Sequence, residues 1–258
     1  MSGTATYIYC IVHAAAAPKA SRVPPGLPDA TPPSIFSVAR SLWLVGAEVP
    51  LDTYGAEPLE SALRKMDWVG QIAVAHEAVV EHLARQRRVT VIPMKLFTMF
   101  SSTERAVEDM RSHQKDLRAI AKRIAGCEEW GVRMSAARRP RAAAEPVVLR
   151  GASGAAFLAA KKQARDSVRE SALALAAVAE DTFSCLSSAS RDVRRRDDAP
   201  EGATPPLLDA AFLIRTTERA SFKAAVRQLA REAKVKGAEL TMTGPWPAYN
   251  FIQSGRRS

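Results

Sequence analysis

By residue type, the groups best suited to proton transfer are His76 and Glu77. Adjacent positions on a helix point about 100° apart, so they do not form a dyad on their own. His76 falls on an apolar stripe with Val69 and Leu83 and reads as a half-buried, hydrogen-bonded core histidine. Glu77 reads as a salt-bridge former or a group facing a partner. The four histidines, His13, His76, His82 and His113, contain no His-x-x-x-His pair. Cys10, Cys127 and Cys185 are odd in number, far apart and match no zinc spacing. No metal site is expected, and the three cysteines read as buried free thiols of a reducing compartment. Gly151-Ala152-Ser153-Gly154 precedes a helix bearing Lys161-Lys162 but lacks the P-loop spacing. It reads as a helix cap, although a helix N-terminus can attract an anion. Ser184 and Cys185 have no placed histidine, and there is no Gly-x-Ser-x-Gly elbow. The sequence therefore offers no catalytic residue and no cofactor site, and a non-enzymatic protein is expected.

Two segments suit recognition better than chemistry. In Thr243-Gly244-Pro245-Trp246-Pro247-Ala248-Tyr249-Asn250-Phe251-Ile252 two prolines fix φ and remove donors. Trp246, Tyr249 and Phe251 then add large apolar area on a preset backbone. In Pro93–Phe100 the residues Phe97, Met99 and Phe100 form a second candidate, an adaptable apolar docking surface. These six are the candidate partner-binding residues, and core packing is the alternative for each. Arg138-Arg139-Pro140-Arg141 and Arg194-Arg195-Arg196 could contact phosphates. No aromatics are interleaved with them to stack bases, so they read as solvated loops and no nucleic-acid partner is expected. A basic nucleic-acid-binding protein stays open as the alternative.

Those residues must be held by elements that the pattern places in order. Tyr7–Val12, Ser34–Ala39, Leu42–Val49, Val89–Ile92, Glu129–Met134, Leu207–Ile214 and Glu239–Met242 read as strands. Pro58 opens one long amphipathic helix running through Leu83. Ser101-Ser102-Thr103-Glu104 carries a capping-box signature for a second, whose apolar face runs from Val107 to Ile124. A third starts at Gly154 and runs past Leu186, and a fourth begins near Thr217 and stops at Gly237. Proline-rich residues 18–33, basic residues 136–146 and charged residues 191–204 read as loops. The order is βββαβα followed by βαβαβ. It predicts an α+β fold of two domains, 1–126 and 127–258, the second ferredoxin-like with an unusually long first helix.

The net charge of +10 is concentrated in the second half. Residues 1–100 carry 9 Lys+Arg against 8 Asp+Glu, and residues 101–258 carry 28 against 19. Such a field favours acidic partners. No basic residue precedes the first apolar stretch, and no window is apolar enough to span a bilayer. A cytoplasmic location without a membrane partner is expected, or delivery to a particle without a signal peptide.

Taken in order, these segments resemble the gas vesicle accessory proteins of the F/L family. The resemblance rests on Tyr7–Val12, on Asp67-Trp68 with His76–Val80, on Val91–Phe100, on Glu129–Arg133, on Gly154–Asp166 and on Thr243–Phe251. The last is the most specific, and the co-linear order covers nearly the whole chain. The resemblance implies two α+β domains, the second a modified ferredoxin-like fold with a long helix. It implies a non-enzymatic role in assembling gas vesicles, air-filled shells built from a small amphipathic shell protein. The implied partners are that shell protein, other gas vesicle accessory proteins, or both, including a scaffold that contacts only accessory factors. It hands over no catalytic residues. The insert at residues 18–33 and the basic loops at 138–141 and 191–198 depart from the family pattern.

Overall fold

A computed structural model describes residues 3–19, 22–137, 154–196 and 205–252. Among them the chain forms two compact units, residues 1–129 with 245–258, and residues 130–244. Residues 245–252 thus cluster with the first unit.

The first unit is built on β1 (Thr4–His13), which pairs antiparallel with β3 (Leu42–Pro50), β4 (Thr90–Pro93) and β5 (Met99–Phe100). With β2 (Ser34–Ala39) at the edge, the order is β2-β3-β1-β4, and β5 pairs β1 beyond β4. The β1/β3 register shifts between Ile8 and Cys10, so Tyr9 is an extra residue in the ladder. A bulge of this kind resets the strand's alternation. It explains how Tyr7, Tyr9, Cys10 and Val12 all enter one core with Ile72, Val79, Val80 and Leu83. Those four come from α3 (Met66–Ala84), whose buried residues follow helical spacing. Each such side chain contributes about 1.5–3 kcal/mol by leaving water.

The expected helix from Pro58 to Leu83 is not continuous. It breaks into α2 (Ala56–Ala62) and α3, preceded by a short α1 (Leu51–Tyr54), with Lys65 extended at φ −100°, ψ 95°. Leu63 and Met66 continue the apolar spacing but are exposed, so no burial holds that turn helical. The next helix is likewise divided at His113, between α4 (Thr103–Ser112) and α5 (Gln114–Ile124). There Ser112 Oγ and His113 Nδ1 both lie on the Asp109 carbonyl, at 2.7 and 2.8 Å. Ser102 caps α4 by accepting from Arg105 N–H at 3.3 Å. Glu104 therefore sits one residue short of the reciprocal position of a capping box. Of the Pro93–Phe100 docking segment, Met99 and Phe100 form a strand. Phe97 adopts φ 62°, and Thr98 N–H closes a turn on the Lys95 carbonyl, which delivers Met99 and Phe100 to β1 as β5.

In the second unit, β6 (Cys127–Ala136, entering from the first), α6 (Gly154–Ser188), β7 (Asp192–Arg195), β8 (Leu208–Arg215), α7 (Arg219–Val235) and β9 (Ala238–Trp246) follow in order. The sheet order β7-β8-β6-β9 is that of a split βαβ, ferredoxin-like plan. The expected βαβαβ gains β7, which the sequence placed in a linker. Trp130, Val132, Met134, Leu208, Ala210, Phe212 and Ile214 pack against Val178, Ala179, Leu186, Phe222 and Val226 from the two helices. Gly237 ends α7 at φ 84°, as its position after the helix requires. The Gly151–Ser153 cap and the Arg138–Arg141 cluster lie outside the described residues. Of the three free cysteines only Cys10 is buried; Cys127 is half-buried and Cys185 exposed, contrary to the expectation for those two.

A Cβ added at Gly46, in β3, would stand 2.7 Å from the Tyr7 carbonyl oxygen, a main-chain atom held by the sheet. Gly46→Ala is expected to cost roughly 1–3 kcal/mol in urea unfolding, with the spectrum of the folded protein retained.

Candidate apolar groove beside the terminal turn

The terminal recognition segment is fixed from below. Residues Tyr249–Phe251 form a single 3-10 turn. Tyr249 Oη donates to Glu77 Oε2 at 2.6 Å. Asn250 donates twice to Glu129, from its main-chain N–H at 2.9 Å and its side-chain amide at 2.5 Å. Arg123 donates to the Phe251 carbonyl, and the Phe251 ring is fully buried. Three charged side chains thus tie three consecutive residues, and hydrogen bonds to charged groups are the stronger kind.

Above this turn lies a groove of about 850 Å³, lined by Ala73, Val74, His76, Glu77, Ala78 and Glu81 from α3, by Lys95 and Leu96, and by Trp246 and Tyr249. Its mouth is apolar. Val74 is 72% and Trp246 45% exposed, values that leave large hydrophobic area in water. Its floor is polar. Glu77 Oε1 is buried with no hydrogen-bond partner. Burial raises the Glu77 pKa, the Tyr249 hydroxyl opposes the rise, and Glu81 and Glu129 add to it. Burial likewise pushes the Tyr249 phenol far up, with Glu77 adding to the shift.

His76 is fully buried, where the sequence placed it half-buried. Its Nδ1 lies 2.8 Å from Tyr7 Oη. The Tyr7 hydroxyl faces the Phe97 main chain on its other side. Burial lowers the His76 pKa to about 4, with the Met94 main chain pulling the other way. The neutral imidazole shares this hydrogen bond with Tyr7 and packs among the Tyr7 and Tyr9 rings. Among the described residues no group of His, Cys, Asp and Glu could hold a metal ion, and no helix is long and apolar enough to cross a membrane.

The six candidate residues separate. Trp246 and Tyr249 line the groove. Phe251 is core. Phe97 stacks on Trp68, centroids 5.9 Å apart and planes 7° apart, and both Phe97 and Met99 pack against the first core. Phe100 is half-buried in β5. The groove also uses Ala73, Val74, Ala78 and Glu81, which the sequence reading passed over, and Lys95 and Leu96 from the Pro93–Phe100 segment. Their signal was present: Val74 and Ala78 are apolar positions of α3 lying off its buried stripe. The Arg194–Arg196 cluster is engaged internally. Arg194 pairs with Asp192 at 3.7 Å, Arg195 with Glu180 at 2.6 Å while covering the Phe183 ring, and Arg196 with Asp209 at 2.7 Å.

Residues 5–253 match the family model described as gas vesicle synthesis protein GvpL/GvpF. The chain belongs to this family. It is 31% identical over 234 residues to gas vesicle protein L of Streptomyces sp. (strain CB03234), covering 85% of this chain and 83% of that one. The fold is that of the crystal structure of gas vesicle protein GvpF from Anabaena sp. PCC7120, with a TM-score of 0.68 at 15% identity over 98% of both chains. GvpF from Microcystis aeruginosa gives a TM-score of 0.65 at 14% identity over 97% of this chain and 99% of that one. Within this GvpL/GvpF protein, the terminal signature Tyr249-Asn250-Phe251 is the segment that the three charged side chains hold.

Because folded His76 resists protonation, the unfolded chain binds more protons between about pH 6.5 and about 4. Stability from this group is complete above that window and is lost as pH falls through it, by roughly 3 kcal/mol in all. Glu77, with its raised pKa, acts in the opposite direction. His76→Gln should therefore remove the His76 share and flatten the fall of the urea midpoint from pH 6.5 to 4 relative to the parent. Equal slopes in the two proteins would sink the assignment. Tyr249→Phe leaves Glu77 without its donor and should lower stability by about 1–3 kcal/mol.

Proposed function

We propose that this GvpL/GvpF protein assists assembly of the gas vesicle by holding the small amphipathic shell protein before it polymerises. It does so without catalysis, in the cytoplasm and on the growing vesicle. The observation that carries the reading is the exposed Trp246 and Val74 at the mouth of an apolar groove. Membership of the family supports it. An amphipathic chain that must expose apolar surface to polymerise needs a transient cover, and an apolar helix face seated in a groove is a recurring way to supply one. Trp246 is the rigid aromatic anchor typical of such contacts. Tyr249 serves as floor, while Phe251, Phe97 and Met99 support the groove from within. The buried, unpartnered Glu77 Oε1 and the nearby Glu81 favour an occupant that brings a hydrogen-bond donor among its apolar groups.

Co-expression with the major shell protein, followed by affinity capture at low and high salt, tests the proposal. Capture should survive high salt, because apolar burial is not screened as surface charge is. Trp246→Ala and Val74→Asp should each reduce capture about tenfold or more with folding retained. Capture of another accessory protein but never of the shell protein would reject shell binding and leave a scaffold among accessory factors.

A further inference from the structure

The second sheet carries an unassigned polar cavity of about 360 Å³, lined by Gly131, Arg133, Arg196, Asp209, Thr241 and Thr243. Strand alternation puts it on the face away from α6 and α7. Trp130, Val132, Leu208, Ala210 and Met242 go to the core, so Gly131, Arg133, Asp209, Thr241 and Thr243 point the other way.

Asp209 is the centre of this cavity, with its side chain 6% exposed. Arg133 donates to Oδ2 from Nε at 2.9 Å and from Nη2 at 2.5 Å. Arg196 approaches Oδ1 with Nε at 2.8 Å and Nη2 at 2.7 Å. Each guanidinium turns Nε and Nη2 to the one carboxylate, Arg196 Nη2 also reaching the Ala210 carbonyl at 3.5 Å, and among the described residues each Nη1 is left for another acceptor. Among the described residues that line the cavity, two cations surround one anion. A brace for Asp209 alone would need only one of them.

The floor is kept open by a missing side chain. A Cβ at Gly131 would come within 2.7 Å of Thr243 Oγ1 and 3.0 Å of Arg196 Nη2. The glycine therefore permits a hydroxyl and a guanidinium to converge on one space. Thr241 Oγ1 already reaches the Arg133 carbonyl at 3.4 Å.

We propose that this cavity binds a single carboxylate group, either an acidic side chain of a protein partner or a free small acid. A carboxylate opposite Asp209 completes an alternating ring of two guanidinium and two carboxylate groups, with the two Nη1 groups and the Thr243 hydroxyl as donors. Guanidinium donors suit planar two-oxygen acceptors. A phosphate dianion fits less well, because it places two charges against Asp209 where the arginines leave only one to neutralise.

The test is amide NMR on the full chain at constant ionic strength, following Gly131 and Thr243 during titration with sodium acetate, a hexaglutamate peptide or inorganic phosphate. Acetate or the peptide should shift these amides saturably, and phosphate should bind more weakly than acetate. A peptide held more tightly than acetate identifies a partner's side chain as the source. Equal affinity identifies a free small acid. Arg133→Gln should weaken binding roughly tenfold. Thr243→Val leaves the Arg–Asp–Arg contacts in place and should weaken it by a smaller factor, so it decides the matter if Arg133→Gln does not fold. No saturable shift with either carboxylate, tighter binding of phosphate, or unchanged affinity in a folded Thr243→Val protein would overturn the proposal.

Discussion

The first unit depends on the hydrogen bonds that bring residues 249–251 back onto it. Glu77, Glu129 and Arg123 come from a helix, a strand and a second helix. Each holds one residue of the same 3-10 turn. None would be placed to do so without the core formed by β1 and α3. In return, the turn buries Phe251 and sets Tyr249 over Glu77, which shapes the groove floor. The flanking prolines, Pro245 and Pro247, limit the conformations the segment must give up. Charge-assisted bonds to a restrained turn are an economical way to anchor a chain end.

The same constraint fixes the surroundings of His76, the buried histidine beside Glu77. His76 is surrounded by the rings of Tyr7, Tyr9 and Tyr249, with centroids 5.7, 5.7 and 6.3 Å away. Burial keeps its imidazole neutral. Glu77 has one oxygen engaged by Tyr249, and the other faces no donor. A carboxylate in that position stabilises the turn at a cost in desolvation. Its partial satisfaction is the feature of the groove that apolar packing alone would not produce.

The proline-rich insert shows how an irregular segment becomes part of the architecture. Leu27 N–H donates to Tyr9 Oη at 2.9 Å, and Tyr54 Oη donates to the Pro28 carbonyl at 2.8 Å. Gly26, at φ 85°, carries no Cβ, and a Cβ there would collide with the Tyr9 hydroxyl. Pro24, Pro25 and Gly26 then face Gly70, Val74 and Ala78 across a second shallow cavity of about 480 Å³. Val74 and Ala78 therefore form a ridge of α3 with an apolar trough on either side.

Sequence alone determined the elements whose signal is local. β2 and the start of α6 were legible to the residue, because an apolar run or a helix start needs no distant partner to be recognised. The family signature was also legible, since it is a matter of residue order. Tertiary structure decided the rest. β7 has the sequence Asp-Val-Arg-Arg, and only its antiparallel ladder with β8, from Asp192 opposite Leu213 to Arg195 opposite Ala210, makes it a strand. The breaks at Lys65 and His113 interrupt patterns that look continuous, because periodicity does not show whether the stripe finds a core. In sequence, Phe97, Met99, Phe100, Trp246, Tyr249 and Phe251 look alike as large apolar candidates. Their division into core, support and groove lining depends on what lies across from each one, and that is fixed by contacts far apart in the chain.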